Sequence, residues 1–138
     1  MEWTLEVIVV PVTDVDRAKE FYEKKLGFNV DHDTEVGPEY RIVQLTPPGS
    51  GCSVVLQSGG ATRMTPGSLH GVQLCVVDLL AAHDQLSERG VDVGEVQVFE
   101  GGGPRPYREG DSLDMVGFMF FSDPDGNGWA VQQMPGRR

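Results

Sequence analysis

Apolar and polar positions along this chain follow two rhythms, and both halves of the chain change rhythm at matching points. Val7 to Val12 is an unbroken apolar run, the pattern of a strand buried on both faces. Asp14 then breaks it, and Val15, Ala18, Tyr22 and Leu26 recur every three or four residues, as one face of a helix does. A short carboxylate ahead of that face suits an N-cap, and Gly27 suits the left-handed residue that ends a helix. The second half repeats the plan 64 positions on: Val12 and Asp14 fall on Val76 and Asp78, while Val15, Ala18 and Tyr22 fall on Leu79, Ala82 and Leu86. Gly27 answers to Gly90, one position short of that offset. A repeat at this scale is architecture, two copies of one supersecondary unit.

Alternation then marks the strands. Phe28 to Asp33 reads as one, followed by a turn at 36–39. Tyr40 to Thr46 sets Tyr40, Ile42, Gln44 and Thr46 on one side and Arg41, Val43 and Leu45 on the other. A Pro–Gly turn leads to a strand over Ser53 to Gln57, closing a βαβββ module. In the second copy, Val91 to Phe99, Val116 to Phe121 and Trp129 to Gln133 read as strands, the last two joined by the turn Asp123-Pro124-Asp125-Gly126-Asn127. Glu100 to Asp114, with three successive glycines and two prolines, predicts no regular element, but a surface loop or a lid. The tail from Pro135 reads as frayed.

The expected fold is α+β: two βαβββ modules in one domain spanning 1–138, each sheet backed by a helix and the free faces curled around a cleft. Module one covers about 4–58, a linker about 59–68, and module two about 69–134. The length, 138 residues, fits one domain with a real core. A net charge of −10 argues against nucleic acid and anionic membranes as partners. The start, MEWTLEVIVV, carries no signal-peptide pattern, and its apolar run is too short to span a bilayer. Cys52 and Cys75 form no disulfide framework and read as buried free thiols, which predicts a cytoplasmic protein.

Several short motifs together resemble the vicinal oxygen chelate superfamily of glyoxalases, bleomycin resistance proteins and extradiol dioxygenases. They are Pro11-Val12-Thr13-Asp14 with Ala18 and Phe21-Tyr22, then Leu26-Gly27-Phe28, then Asp123-Pro124-Asp125-Gly126-Asn127 before Trp129. The resemblance implies the paired-module fold and a homodimer, but no single reaction. Metal-binding members of the family carry His or Glu at positions that fall here on Val7, Gly71, Val55 and Ala130. None of these side chains can ligate a divalent cation, so no metal and no other cofactor is expected. Glu6 and His70 sit one residue before two of those positions, and alternation turns them to the opposite face unless both strands bulge.

With Val7 and Ala130 inward, alternation brings Val9, Gln73, Cys75 and Gln132 to the same side, Val55 brings Ser53 and Gln57, and Phe118 and Phe120 add aromatic wall. Such a surface suits a small apolar or aromatic molecule held by stacking and a few amide contacts, as in antibiotic or metabolite sequestration. The competing account of these residues is that they fill a core. A second functional reading is a metal-free lyase, isomerase or cyclase, with His70, Glu6 or Tyr107 moving protons. A third is a metal-dependent glyoxalase or dioxygenase with unrecognised ligands. Arg105, Tyr107, Arg108, Asp111 and Asp114 form the loop that would close over a ligand, against the alternative of a disordered surface loop. His32 and His83 read as solvated.

Overall fold

The computed structural model describes residues 1–37, 40–59 and 62–136. Parts of the expected turn at 36–39, the linker and the tail lie outside the described residues. The chain divides into two compact units. The first holds Met1–Leu69 together with the turn Asp123–Asn127, and the second holds His70–Ser122 with the residues from Gly128 onward.

In the first unit, β1 (Val7–Pro11) pairs in parallel with β4 (Ser53–Gln57), and β3 (Arg41–Thr46) and β2 (Asn29–Glu35) follow antiparallel. The sheet order is β1-β4-β3-β2. Helix α1 starts at Val15, capped by the Asp14 carboxylate, which accepts from Arg17 N at 3.1 Å. It is α-helical only to Glu20, and a π-helical turn covers Phe21–Lys25. The wider turn lets the adjacent rings of Phe21 and Tyr22 both be buried, which an amphipathic α-helix with a narrow apolar stripe does less readily. Gly27, at φ +78°, ends the helix as expected. The helix packs on β4, and Val10, Val43, Leu45, Val54 and Leu56 share one side of the sheet, all buried. β1 is not buried on both faces, because Val7 is exposed and Val9 half-buried.

In the second unit, β5 (Val72–Val76) leads to α2 (Leu79–Glu88), capped by Asp78, which accepts from Ala81 N at 3.0 Å. The sheet order is β5-β9-β8-β6-β7, with β6 at Gln97–Glu100, β7 at Gly103–Pro106, β8 at Gly117–Ser122 and β9 at Gly128–Gln133. β5 and β9 are parallel, and the other pairs are antiparallel. Leu79, Val98, Met119, Phe121, Trp129 and Val131 form the buried side. Truncating one such side chain to Ala costs about 2–5 kcal/mol.

Two expectations are corrected here. The strand over Val91–Phe99 is shorter: only Gln97 onward pairs, because Val93 N turns back to Val91 O and Gly94 N bonds Phe120 O. The segment after Glu100 is not irregular throughout. Gly101-Gly102 makes a hairpin turn, and Gly103–Pro106 adds a fifth strand on the sheet edge. Prolines are tolerated there because an edge strand needs ladder bonds on one side only. Tyr107 N bonds Val96 O at 2.9 Å, so odd positions face β6 and the nitrogens of Pro104 and Pro106 face outward.

Candidate functional site

Each sheet has one side packed on its helix and one side more open. The other side of the first sheet carries Val7, Val9, Ser53, Val55 and Gln57 in register, with Val55 opposite Gln44, and of these Ser53 and Val55 are buried. Its polar members bond among themselves: Ser53 and Thr46 share a hydrogen bond of 2.6 Å, and Thr46 donates to Asp31. Those contacts, with Asn29, lower the pKa of Asp31, the Thr46 hydroxyl contributing most.

The open side of the second sheet is more distinctive. Across three strands, Gln73, Ala130 and Phe120 form one row, and Cys75, Gln132 and Phe118 form the next. Phe118 and Phe120 lie with ring planes 8° apart and centroids 6.4 Å apart. Phe99, from β6, packs edge-on against both, at 5.1 and 6.2 Å. Phe120 remains 42% exposed, too much for a core residue. Beside this wall the Gln73 amide donates to Gln132 Oε1 at 2.6 Å, and Gln132 Nε2 donates to Met115 O at 2.8 Å. Met115 holds φ +70°, a left-handed conformation that a methionine rarely adopts. It is fixed from both ends, since its own N–H bonds Gln133 O at 2.9 Å. Backbone strain of this kind, about 1–3 kcal/mol, clusters at functional sites.

Of the residues expected from sequence, Gln73, Cys75, Phe118, Phe120, Ala130 and Gln132 thus share one surface in the second unit, and Val7, Val9, Val55 and Gln57 share one in the first. Phe99 and Met115 were missed. Alternation from Gln97 would have found Phe99, whereas nothing in the sequence marks Met115 as left-handed. The thiols are not buried: Cys52 is half-buried in the turn before β4, and Cys75 is exposed because its strand position falls on the open side.

The proton-transfer candidates are less organised. Glu6 is exposed ahead of β1, with its backbone carbonyl taken by Ser53 N at 2.8 Å. His70 is exposed ahead of β5, its ring lying over Gly128, where an added Cβ would come within 2.5 Å of Nδ1. Tyr107 is half-buried at the end of the β6–β7 hairpin. The loop arginine Arg105 is already committed: Asp111 takes it at 2.8 and 3.0 Å, and Glu100 at 3.3 Å. Arg105 first, then the Arg108 N–H, holds the Asp111 carboxyl down at about 2. The segment is an ion-paired hairpin rather than a disordered loop. His32 is exposed and His83 half-buried.

The four positions where relatives would hold a metal do not fit one. Val7, Val55 and Ala130 have aliphatic side chains, and Gly71 has none. Pairing of β1 with β4 runs without a bulge, so nothing turns Glu6 to the other face. His70 precedes the β5–β9 ladder, separated from it by Gly71 at φ +92°, and its ring lies over Gly128, on the side of β9 that also carries Ala130. Among the described residues, no three His, Cys, Asp or Glu side chains gather as a metal group.

An open cleft of about 460 Å³ in the first unit is polar, lined by Thr13, Asp16, Glu35, Tyr40 and Arg41 among others. Arg41 is spent on Asp33 at 2.8 Å and Asp16 at 2.5 Å. These bonds hold Asp33 well below the usual carboxylate range, Arg41 ahead of Lys19. The cleft offers little apolar wall. Among the described residues, no helix is long and apolar enough to cross a membrane.

The motif Asp123–Asn127 serves structure. Asp123 Oδ1 accepts from the N–H groups of Asp125 and Asn127, both at 2.9 Å, and Oδ2 accepts from Tyr22 Oη and Asn127 Nδ2, both at 2.8 Å. Asn127 Nδ2 also donates to Pro11 O, and its Oδ1 accepts from Leu69 N. Asp125 accepts from Thr13 Oγ1 at 2.6 Å, and Arg17 reaches it at 3.3 Å. Gly67, at φ +80°, leaves no room for a Cβ, which would lie 2.1 Å from Asp125 O.

Comparison with known proteins accounts for this motif set. Residues 4–131 match the family model described as Glyoxalase/Bleomycin resistance protein/Dioxygenase superfamily. The chain is 32% identical to the antibiotic binding protein TnmS3 from Streptomyces sp. CB03234, covering 95% of each chain with a TM-score of 0.72. A glyoxalase/bleomycin resistance protein from the same Streptomyces strain is 34% identical, over 94% of this chain and 100% of that one, with a TM-score of 0.68. A superfamily member from Sphaerobacter thermophilus DSM 20745 is 27% identical, over 95% and 97%, with a TM-score of 0.75.

Proposed function

The chain belongs to the Glyoxalase/Bleomycin resistance protein/Dioxygenase superfamily, and from that premise we propose that it binds a small, flat, largely aromatic molecule without needing a metal. One observation carries this reading: Phe99, Phe118 and Phe120 stand together on an open sheet face beside the Gln73 and Gln132 amides. An exposed aromatic cluster next to directed amides is poor use of surface unless something covers it. Stacking on each ring contributes about 0.5–1.5 kcal/mol beyond area burial. The antibiotic binding relative supports sequestration as the role. Free Cys52 and Cys75 support a reducing compartment, the cytoplasm, and the family resemblance supports a homodimer.

The test is native mass spectrometry with a panel of planar polycyclic aromatics, followed by recovery of the compound. The expected result is saturable binding to a metal-free dimer, with the compound recovered unchanged and binding retained in His70→Ala. Recovery of an altered compound would move the protein to proton-transfer chemistry at His70, Glu6 or Tyr107. One transition metal per subunit would overturn the metal-free reading.

A further inference from the structure

The amides beside the aromatic wall are polarised in one direction, and that direction selects the ligand's chemistry. Met115 O can only accept, so the Gln132 atom 2.8 Å from it is the amide nitrogen. Gln132 Oε1 is therefore turned toward Gln73, and the Gln73 group 2.6 Å from it must be the donating NH₂. The same nitrogen lies 3.8 Å from Cys75 Sγ, which takes its second hydrogen. Both donors of Gln73 are thus spent within the sheet, and its carbonyl oxygen is left over. Among the described residues no donor reaches it. The left-handed Met115 sets this order, because its backbone carbonyl fixes the first member of the relay.

From this geometry we infer that the ligand carries a hydrogen-bond donor, a hydroxyl or N–H, on the edge of the ring system that meets Gln73. This deepens the aromatic-ligand reading and rests on it. Gln73 and Phe120 flank Ala130 in one row of the sheet, so they stand two strand spacings, about 10 Å, apart. The small Ala130 leaves the floor between them flat. A ligand filling that span is a fused polycycle that stacks at one end on Phe118 and Phe120 and donates at the other to Gln73 Oε1. A ligand presenting only an ether or carbonyl there would set acceptor against acceptor.

A matched pair of probes tests this: 1-hydroxypyrene and 1-methoxypyrene, titrated at pH 6.5 and followed by fluorescence anisotropy with the intact protein and with Gln73→Leu. The expected result is about tenfold tighter binding of the hydroxyl compound to the intact protein. In Gln73→Leu that preference falls to about one, mainly through loss of hydroxypyrene affinity. Because Gln73 is exposed on an edge strand, the variant keeps its thermal midpoint, which circular dichroism checks. Equal binding of both probes to the intact protein, or a preference for the ether, overturns this inference and leaves the aromatic-ligand reading standing. Failure of both probes to saturate overturns the two together.

Discussion

Two polar clusters in this molecule use similar groups and are finished differently. Around Asp123 and Asn127, in the first unit, the carboxylate accepts four hydrogen bonds and the amide has partners at both ends. Both residues are nearly inaccessible, at 5% and 0% exposure. Around Gln73 and Gln132, in the second unit, the chain of amides runs from the carbonyl of the left-handed Met115 to an oxygen that no donor reaches among the described residues, on a surface open to solvent. The first cluster is closed and holds the fold. The second is directional and incomplete, which is what a binding surface requires. The difference also explains why the family motif says little about reaction: its Asp123 and Asn127 are spent on backbone groups and on each other.

The largest effect should come from opening the closed cluster. Asn127→Ala strands Leu69 N, leaves Pro11 O only the Gly67 N–H and removes a donor from Asp123, so urea denaturation should show a loss of about 3 kcal/mol. Affinity for a polycyclic probe, measured on the fraction still folded, should be unchanged. Next is the aromatic wall. Phe118→Ala should weaken probe binding about tenfold in the same anisotropy titration. Phe120→Ala should do so with little change in denaturation midpoint, since that ring is already 42% exposed. If Phe120→Ala instead unfolds the protein, the wall is core and the comparison fails. A smaller effect is expected from Tyr22→Phe. It removes one of four bonds to Asp123 and leaves the carboxylate its other donors, costing about 1 kcal/mol by thermal denaturation.

The smallest effect is local and depends on pH. Asp111 has a depressed pKa, about 2 against an ordinary 3.8, because Arg105 holds its charged form. A depressed carboxylate favours the folded hairpin above its unfolded pKa and ceases to do so as pH falls through the folded value. Hairpin protection should therefore be constant from neutral pH to about 4 and decline between about 4 and about 2. Carboxyl resonances followed by nuclear magnetic resonance should give an Asp111 midpoint near the lower figure. Arg105→Gln should return it toward 3.8.

Much of the fold was legible in the sequence because its signals are local. Asp14 and Asp78 cap their helices, and Gly27 and Gly90, at φ +78° and +85°, end them. The offset repeat gave two modules that share a strand–helix opening and a parallel pairing of first and last strands, and the second adds an edge strand, Gly103–Pro106, that the repeat did not show. What local reading missed depended on neighbours. Gly103–Pro106 looks like a breaker until β6 lies beside it. The π-helical turn at Phe21–Lys25 follows from burying two adjacent rings, not from propensity. Cys75 sits in apolar text and looks buried, yet alternation places it beside Gln132 on the open side. The face residues themselves were readable from period-two alternation. The left-handed Met115 that orders their hydrogen bonds was not, because no local motif announces it.

The outward-facing prolines of β7 have a consequence for the life of the protein at high concentration. An exposed strand edge is a template on which another polypeptide can add, the first step toward fibrils and sheet-to-sheet aggregates. Pro104 and Pro106 present ring carbons where that template would offer N–H groups. An incoming strand finds acceptors there but no matching donors, so the longer sheet cannot propagate from this side. Replacing both prolines with threonine would restore the ladder and convert a sealed margin into a site of self-assembly.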